Sequence, residues 1–176
     1  NILDDILVFG HGMQEHDLYL RRVLQRLSEY NATVRVDKCV IGKSEVNFNG
    51  HRVSAAGVQP LQSYVDAILN IPVPSDQRQL SRFISTATYY MKFVPHFAEK
   101  CTSLRALLKK DAQWDWSTEC QKQFEDIKRC IASPPTLAHF DPSAETVVTS
   151  DSSSFAVGAC LSQWKNGEEH PVAFAS

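Results

Sequence analysis

Apolar residues near the start of the chain change from a short continuous run to helical spacing. Residues 6–9 form the run, whose length predicts a β-strand. The adjacent carboxylates Asp4 and Asp5 come just before this run and predict a tight hairpin turn. Leucine and valine then recur every three or four positions over residues 14–30, which predicts an amphipathic helix packed on a sheet.

Short alternating segments follow this helix. Residues 33–36 alternate and predict another strand. Residues 46–53 predict two short strands that turn about Asn49-Gly50, because this dipeptide tolerates positive φ. The first third of the chain is therefore predicted to be α+β.

Helical spacing replaces alternation beyond residues 57–60, where we place a boundary. One helix is predicted to end before Pro72, Ser75 is predicted to cap a second, and residues 97–110 predict a third. These segments indicate a small helical subdomain.

The last third combines one helix with an antiparallel meander. Ser117 is predicted to cap a helix over residues 120–131. Asn166-Gly167 has the composition of a hairpin turn between the last two strands. Three strands are predicted, at residues 146–151, 155–163 and 170–174.

The overall composition is that of a folded globular protein, with 43% hydrophobic and 22% charged residues. Lys and Arg number 18 against 20 Asp and Glu, which gives a net charge of -2. The chain therefore has no overall positive field, and a nucleic-acid surface must be a local patch. No apolar stretch approaches the length of a membrane span, so no membrane partner is expected.

The five cysteines are widely spaced and include no Cys-x-x-Cys pair, which argues against a disulfide framework and a zinc site. We therefore expect a reducing intracellular location, cytoplasmic or nuclear. The chain begins and stops inside strand-like runs, so we expect it to be a segment of a longer protein.

Asp4 and Asp5 are the first candidates for chemistry. Two adjacent carboxylates among apolar residues repel each other and are costly to keep ionised unless a cation neutralises them. Mg²⁺ suits this position because it takes one or two protein carboxylates and completes its shell with water and substrate phosphates. The alternative is a solvated turn, in which Asp is a favoured residue. Residues 1–9 alone favour the turn.

A collinear series of motifs along nearly the whole chain resembles the Pol polyprotein of gypsy-class LTR retrotransposons. No single motif is specific, whereas their succession is. The motifs are Ile2 to Phe9, His16 to Leu27, Asp37-Lys38-Cys39, Phe48 to Val58, Tyr89 to Pro95, Leu107 to Lys110, and Thr149 to Ser153.

The resemblance implies an α+β fold in which part of a reverse transcriptase leads into an RNase H domain. Residues 1–58 would be the C-terminal part of the palm, with β-hairpins and a helix, and residues 59–112 a helical thumb. Residues 113–143 would be a connecting helix and linker. Residues 144–176 would be the first antiparallel strands of the RNase H-like domain.

Asp4 and Asp5 match the paired aspartates that, in this family, help to hold two Mg²⁺ ions. These ions activate the primer 3′ hydroxyl and neutralise the triphosphate. The family supplies a third carboxylate from a strand that this chain does not contain. It also usually has tyrosine where this chain has Ile2. We therefore expect the isolated chain to bind a primer-template weakly and in a salt-sensitive way through its cationic residues, and to incorporate no nucleotide.

Phe48, Gly50 and His51 match the primer grip, which presses the primer end toward the metals. Without the resemblance, these residues fit an ordinary β-hairpin with a buried Phe. Asp151 matches the first metal-binding aspartate of RNase H, which makes it a third candidate catalytic residue and Mg²⁺ ligand. Without the resemblance, Asp151 fits the turn at a strand end.

Tyr89, Tyr90 and Lys92 match the aromatic and basic stretch of the thumb. The resemblance implies that the aromatic rings pack against sugars or bases while Lys92 meets phosphate. Aromatic residues at helical spacing are more often part of a core, so we expect at least one of the two tyrosines inside.

Three functions are compatible with these observations. The leading one is a segment of an RNA-directed DNA polymerase with RNase H, whose partners would be an RNA/DNA primer-template duplex and the rest of the Pol polyprotein. The second is a non-catalytic remnant that binds nucleic acid or a protein partner. The third is a structural α+β protein unrelated to polymerases, which the collinear motifs disfavour.

Overall fold

A computed structural model describes residues 5–176, so Asp4 and its predicted turn lie outside the described residues. The helices are α1 (Met13–Glu29), α2 (Gln62–Leu69), α3 (Gln77–Tyr89), α4 (Phe97–Lys100), α5 (Thr102–Ala106) and α6 (Thr118–Ala132), with short 3₁₀ turns at Val36–Lys38 and Met91–Phe93. The strands are β1 (Glu45–Phe48), β2 (His51–Ser54), β3 (Gly57–Pro60), β4 (Thr146–Ser152), β5 (Val157–Lys165) and β6 (Glu168–Ala175).

The helix predicted over residues 14–30 is confirmed as α1, but none of its residues is buried among the described residues, so its predicted packing on a sheet is not confirmed. The two strands predicted around it are wrong. Residues 6–10 have no regular structure. Residues 33–35 are irregular as well, and Val36 starts a 3₁₀ turn. A strand needs a hydrogen-bonded neighbour, and an apolar run alone does not supply one. Val36 is instead exposed to solvent.

The first sheet contains the predicted hairpin and one strand that was not predicted. β1 and β2 pair antiparallel around the confirmed turn, where Asn49 and Gly50 have φ of 45° and 71°. β3 covers residues that we had interpreted as a boundary, and it pairs antiparallel with β2. β3 begins with Gly57 and ends with Pro60. The glycine and proline that had suggested a boundary therefore lie at the ends of an edge strand rather than in a linker.

The helical part differs from the prediction at two places. Asp76 rather than Ser75 caps α3, because its carboxylate accepts a hydrogen bond from Gln79 N at 2.8 Å. The helix predicted over residues 97–110 is divided into α4 and α5. At the division the Thr102 hydroxyl donates to Glu99 O at 2.7 Å, which competes with the regular backbone pattern.

One hydrophobic core joins α2, α3, α4, α5 and α6. The cap predicted for α6 is confirmed, since Ser117 Oγ accepts from Cys120 N at 3.2 Å. Phe124 is fully buried, and its ring centroid lies 4.5 Å from that of Phe83 on α3. The buried Lys128 lies over the Phe124 ring and donates to Ile71 O at 2.9 Å. The domain boundaries stay predictions, although the segments on either side of residue 113 share this core.

The predicted three-stranded meander is confirmed. β5 lies between β4 and β6, and both pairings are antiparallel. Asn166 and Gly167 form the predicted turn, with φ of 55° and 82°. β5 begins at Val157, two residues later than predicted. Gln163 on β5 is fully buried and bonds to both backbone groups of Asp141, which anchors the segment that leads into β4.

Residues 136–139 connect the two sheets and are called the strap below. Val58 N donates to Leu137 O at 2.8 Å, and Leu137 N donates to Val58 O at 3.0 Å. The next residue, Ala138, donates from its N to Pro171 O of β6 at 2.7 Å. The strap is therefore paired with one strand of each sheet.

Gly57 makes the approach of β3 to the strap possible. A Cβ atom at this position would lie 2.3 Å from Leu137 O, and the backbone φ is +130°. Both the contact and the dihedral exclude larger residues. Among residues 5–176, no helix combines the length and the apolarity needed to cross a membrane.

We expect Gly57→Ala to lower the free energy of unfolding by about 2–4 kcal/mol, since the new methyl group displaces the strap from β3. Urea denaturation followed by circular dichroism measures the loss. Gly167→Ala is the matched control, because it also places Ala at positive φ but has no neighbour within 4 Å. The control should lose only about 1–2 kcal/mol. Equal losses would contradict the proposed steric role of Gly57.

Candidate functional site

The Asn49-Gly50 turn rests on the C-terminal end of α3. The Tyr89 hydroxyl donates to Asn49 O at 2.5 Å, and the Tyr90 hydroxyl donates to Gly50 O at 3.3 Å. Leu61 N also donates to Gly50 O, at 2.9 Å. The carbonyl groups of the turn are therefore bonded by two tyrosines at the end of α3 and by the residue that precedes α2.

Tyr89 and Tyr90 have different environments although they are adjacent. Tyr90 is 1% exposed and belongs to the core, whereas Tyr89 is 45% exposed. Their rings meet edge-on, with centroids 5.0 Å apart. Burial raises the pKa of Tyr90 to about 12, so this hydroxyl remains a proton donor at neutral pH. The expectation that at least one tyrosine lies inside is confirmed.

His51 follows the turn and lies among aromatic rings. Its ring centroid is 5.4 Å from Tyr89, 5.8 Å from Tyr90 and 5.7 Å from Phe93. Nδ1 lies 2.6 Å from Asn49 O. Since a carbonyl oxygen only accepts, Nδ1 carries the proton and neutral Nε2 is left as an acceptor. Nε2 is buried and has no hydrogen-bond partner among residues 5–176.

Burial is the main cause that lowers the pKa of His51, and the nearby Lys92 ammonium lowers it further. Hydrogen bonds to the backbone of Asn49 and Phe48 oppose this shift. Lys92 is itself half-buried with its Nζ 5.2 Å from the centre of the Phe93 ring, and burial lowers its pKa as well. The site thus combines a neutral imidazole with one cation at its edge.

The outer face of α3 carries a line of polar side chains that leads to this turn. Arg78, Arg82, Ser85 and Tyr89 are all exposed and follow one another by four, three and four residues. At 1.5 Å per residue the line is about 16 Å long. Leu80, Phe83, Ile84 and Ala87 are buried on the opposite face. Neither arginine side chain forms an ion pair or hydrogen bond with another residue in 5–176, so both guanidinium groups are available to an anionic ligand.

The structure brings all six predicted nucleic-acid-binding residues together at the Asn49-Gly50 turn. Phe48, Gly50, His51, Tyr89, Tyr90 and Lys92 surround the turn. His51 is 8% exposed and Tyr90 less so, which closes both rings to direct stacking. Any effect of these two residues on a ligand would be indirect. Tyr89, Lys92 and the turn backbone remain accessible.

The predicted acids lie elsewhere or outside the described residues. Asp5 is exposed and forms no hydrogen bond to the turn in the described part of the chain. Asp151 is exposed on β4, and its Oδ1 accepts from Ser152 N at 2.8 Å. It lines a small cleft with His96 and Glu99.

These carboxylates are the ligand type that Mg²⁺ prefers. Within residues 5–176, however, no three His, Cys, Asp or Glu side chains converge as a metal-binding group. The Mg²⁺ assignment of Asp4, Asp5 and Asp151 therefore stays a prediction.

Arg78 and Arg82 were missed by the sequence interpretation. The signal was available, because two arginines four residues apart lie on the polar face of a helix whose apolar residues recur at helical spacing. The sequence pattern did not show where this helix face lies relative to the Asn49-Gly50 turn.

We expect the stability of the protein to fall as the pH drops below about 6.5, the ordinary pKa of histidine. The folded state holds His51 neutral with a lowered pKa, whereas the unfolded chain takes up a proton near that pH. The contribution is therefore present above pH 6.5 and is lost on acidification. His51→Phe removes the titrating group and should flatten this dependence in urea denaturation between pH 7.5 and 5.5.

His11→Gln is the control for the pH series, because His11 is an exposed histidine before α1. The slope of this variant is compared with that of His51→Phe, and an equally flattened slope would show that the effect is not specific to His51. A wild-type stability that stays constant over the window would contradict the buried neutral state of His51.

Comparisons with known proteins agree with this architecture. Residues 116–176 match the model of the RNase H-like domain found in reverse transcriptase. Over 175 residues the chain is 35% identical to the Transposon Tf2-3 and Tf2-7 polyproteins of Schizosaccharomyces pombe (strain 972 / ATCC 24843). The alignment covers 99% of this chain and 13% of each polyprotein.

Two solved structures share the fold. A foamy viral protease-reverse transcriptase dRH in complex with ds DNA has a TM-score of 0.78 at 23% identity, covering 95% of this chain and 30% of that chain. A foamy viral protease-reverse transcriptase in complex with RNA/DNA hybrid has a TM-score of 0.76 at 23% identity, covering 95% of this chain and 23% of that chain. At this identity the likeness shows the fold alone. The chain is thus similar in sequence to part of the Tf2 polyproteins, and it spans 13% of their length.

Proposed function

We propose that this chain is a nucleic-acid-binding segment of a reverse transcriptase with RNase H, and that a primer-template duplex lies along α3 and the Asn49-Gly50 turn. The observation that carries the proposal is the outer face of α3. Two exposed arginines without described partners point away from the core there, in line with the half-exposed Tyr89.

The chemistry of this face suits a phosphate backbone. Guanidinium groups bind phosphate oxygens through two parallel hydrogen bonds, and unpaired arginines lose no existing ion pair on binding. Tyr89 offers a ring that can pack against a sugar or base at the end of the same line. Because the chain carries a net charge of -2, affinity must come from this local patch rather than from the overall field.

The solved relatives support a duplex as the ligand class. One foamy viral protein was determined with ds DNA and the other with an RNA/DNA hybrid. In the finer proposal, residues 1–58 are the end of the palm, residues 59–112 are the thumb and residues 144–176 are the start of RNase H. Asp4, Asp5 and Asp151 are the candidate Mg²⁺ ligands of the two activities.

A second candidate function is duplex binding without catalysis, in a protein descended from such an element. Ile2 favours it, because it replaces the tyrosine usual before the paired aspartates in the family that the sequence resembles. Primer extension separates the two functions. Extension that disappears in Asp5→Asn supports the polymerase, and binding without extension supports the second candidate.

We expect Arg78→Ala with Arg82→Ala to weaken duplex binding and to reduce its salt dependence. Each lost phosphate contact should lower the slope of log K against log salt by about 1. The double variant should therefore lose about 2 from the slope. Fluorescence anisotropy of a labelled duplex between about 50 and 200 mM salt measures both quantities.

Arg129→Ala is the matched control, because Arg129 is an exposed arginine on α6 that already pairs with Asp126 at 3.0 Å. Its slope should equal that of the wild-type chain. If total charge set the slope, Arg129→Ala, which removes one charge, would lose about half as much as the double α3 variant. An unchanged α3 variant would reject this face as the binding surface.

A further inference from the structure

We infer that Tyr89 and Tyr90 are positioning residues, whose hydroxyl groups hold the Asn49-Gly50 turn at a fixed place relative to the arginine face of α3. The four groups, two tyrosine hydroxyls and the carbonyls of Asn49 and Gly50, are called the turn clamp. The inference rests on the proposed function, because it assigns the clamp the task of orienting the turn toward a primer end.

The first step concerns the carbonyl groups of the turn. A two-residue hairpin turn leaves the carbonyls of its central residues outside the strand pairing, where water normally binds them. In this protein Asn49 O accepts from Tyr89 at 2.5 Å and from His51 at 2.6 Å. Gly50 O accepts from Leu61 N at 2.9 Å and from Tyr90 at 3.3 Å. Side chains and backbone from other elements thus occupy both carbonyls.

The second step concerns how closely the turn approaches α3. A Cβ atom on Gly50 would lie 3.2 Å from the Tyr90 hydroxyl oxygen and 3.4 Å from Tyr89 Cε1. The backbone of the turn therefore rests directly on the two rings. Because Tyr89 is the last residue of α3 and Tyr90 caps it, any movement of the helix end is transmitted to the turn.

The third step separates positioning from stability. Phenylalanine at either position keeps the ring packing and removes only the hydroxyl. Loss of one such hydrogen bond shifts an equilibrium by only about 2- to 10-fold, so the variants should still fold. The line of polar side chains on α3 ends at Tyr89, beside the turn. The clamp therefore fixes the distance between the turn and the phosphates that the two arginines would bind. Loss of the clamp should therefore affect recognition of a duplex end more than binding of a continuous duplex.

The test uses the full chain as wild type, Tyr89→Phe, Tyr90→Phe and the double variant. Tyr64→Phe is the matched control, because Tyr64 is an exposed neighbour whose hydroxyl forms no hydrogen bond in the described part of the chain. Hydrogen exchange of the amides of residues 48–51 should rise about 2- to 10-fold in Tyr89→Phe, the factor that one lost hydrogen bond allows. The control should exchange at the wild-type rate.

Affinity for a duplex with a recessed 3′ end is then compared with affinity for an uninterrupted duplex of equal length. The clamp variants should lose about 3- to 10-fold of their preference for the recessed end, which corresponds to one net hydrogen bond. The affinity of Tyr90→Phe for the uninterrupted duplex should stay within about twofold of wild type, because Tyr90 is buried and its ring is closed to a ligand.

Unchanged exchange in the double variant would overturn the clamp. Faster exchange with an unchanged preference for the recessed end would overturn its positioning role and leave only a structural one. If the wild-type chain bound neither duplex, the proposed function would fail, and the positioning role that depends on it would fall with it. The exchange data would still decide whether the two hydroxyls hold the turn.

Discussion

The close approach of β3 to the strap is the contact on which the arrangement of the two sheets depends. Val58 and Leu137 exchange backbone hydrogen bonds, and Ala138 bonds to Pro171 in the second sheet. Only a residue without a Cβ fits at Gly57, where an added carbon would lie 2.3 Å from a carbonyl oxygen. Since backbone pairing is less adjustable than side-chain packing, the strap connects the hairpin to the meander through directional contacts.

Helix α3 connects the hydrophobic core to the proposed ligand surface. Its buried face packs in the core with α6, and its outer face carries Arg78 and Arg82. At its C-terminal end, Tyr90 belongs to the core while Tyr89 lies at the border between core and solvent. The residues of the aromatic stretch that suggested ligand contact therefore have two different roles. Buried rings support the turn, and the accessible ring and the arginines face outward.

Local patterns were enough to predict elements whose stability arises within a short stretch of chain. The periodicity of α1, the Asn49-Gly50 and Asn166-Gly167 turns, and the Ser117 cap each depend on residues within a few positions of one another. Strands depend on neighbours, which explains the failures. The runs at residues 6–9 and 33–36 are not strands, whereas β3 forms because β2 is beside it, although its glycine and proline had suggested a break.

The sequence by itself determined the mixed helix and sheet class and the order of most elements, because periodicity, turn composition and caps act locally. The residues around the turn became candidates only through the family resemblance. The sequence also supplied the resemblance from which Asp4, Asp5 and Asp151 became candidates for metal binding. Only the tertiary structure decided that the tyrosine hydroxyls donate to the turn carbonyls. It also decided that His51 is buried, with an Nε2 atom that has no hydrogen-bond partner among the described residues. The tyrosine contacts join residues about 40 positions apart, and their geometry arises from packing that no local pattern encodes.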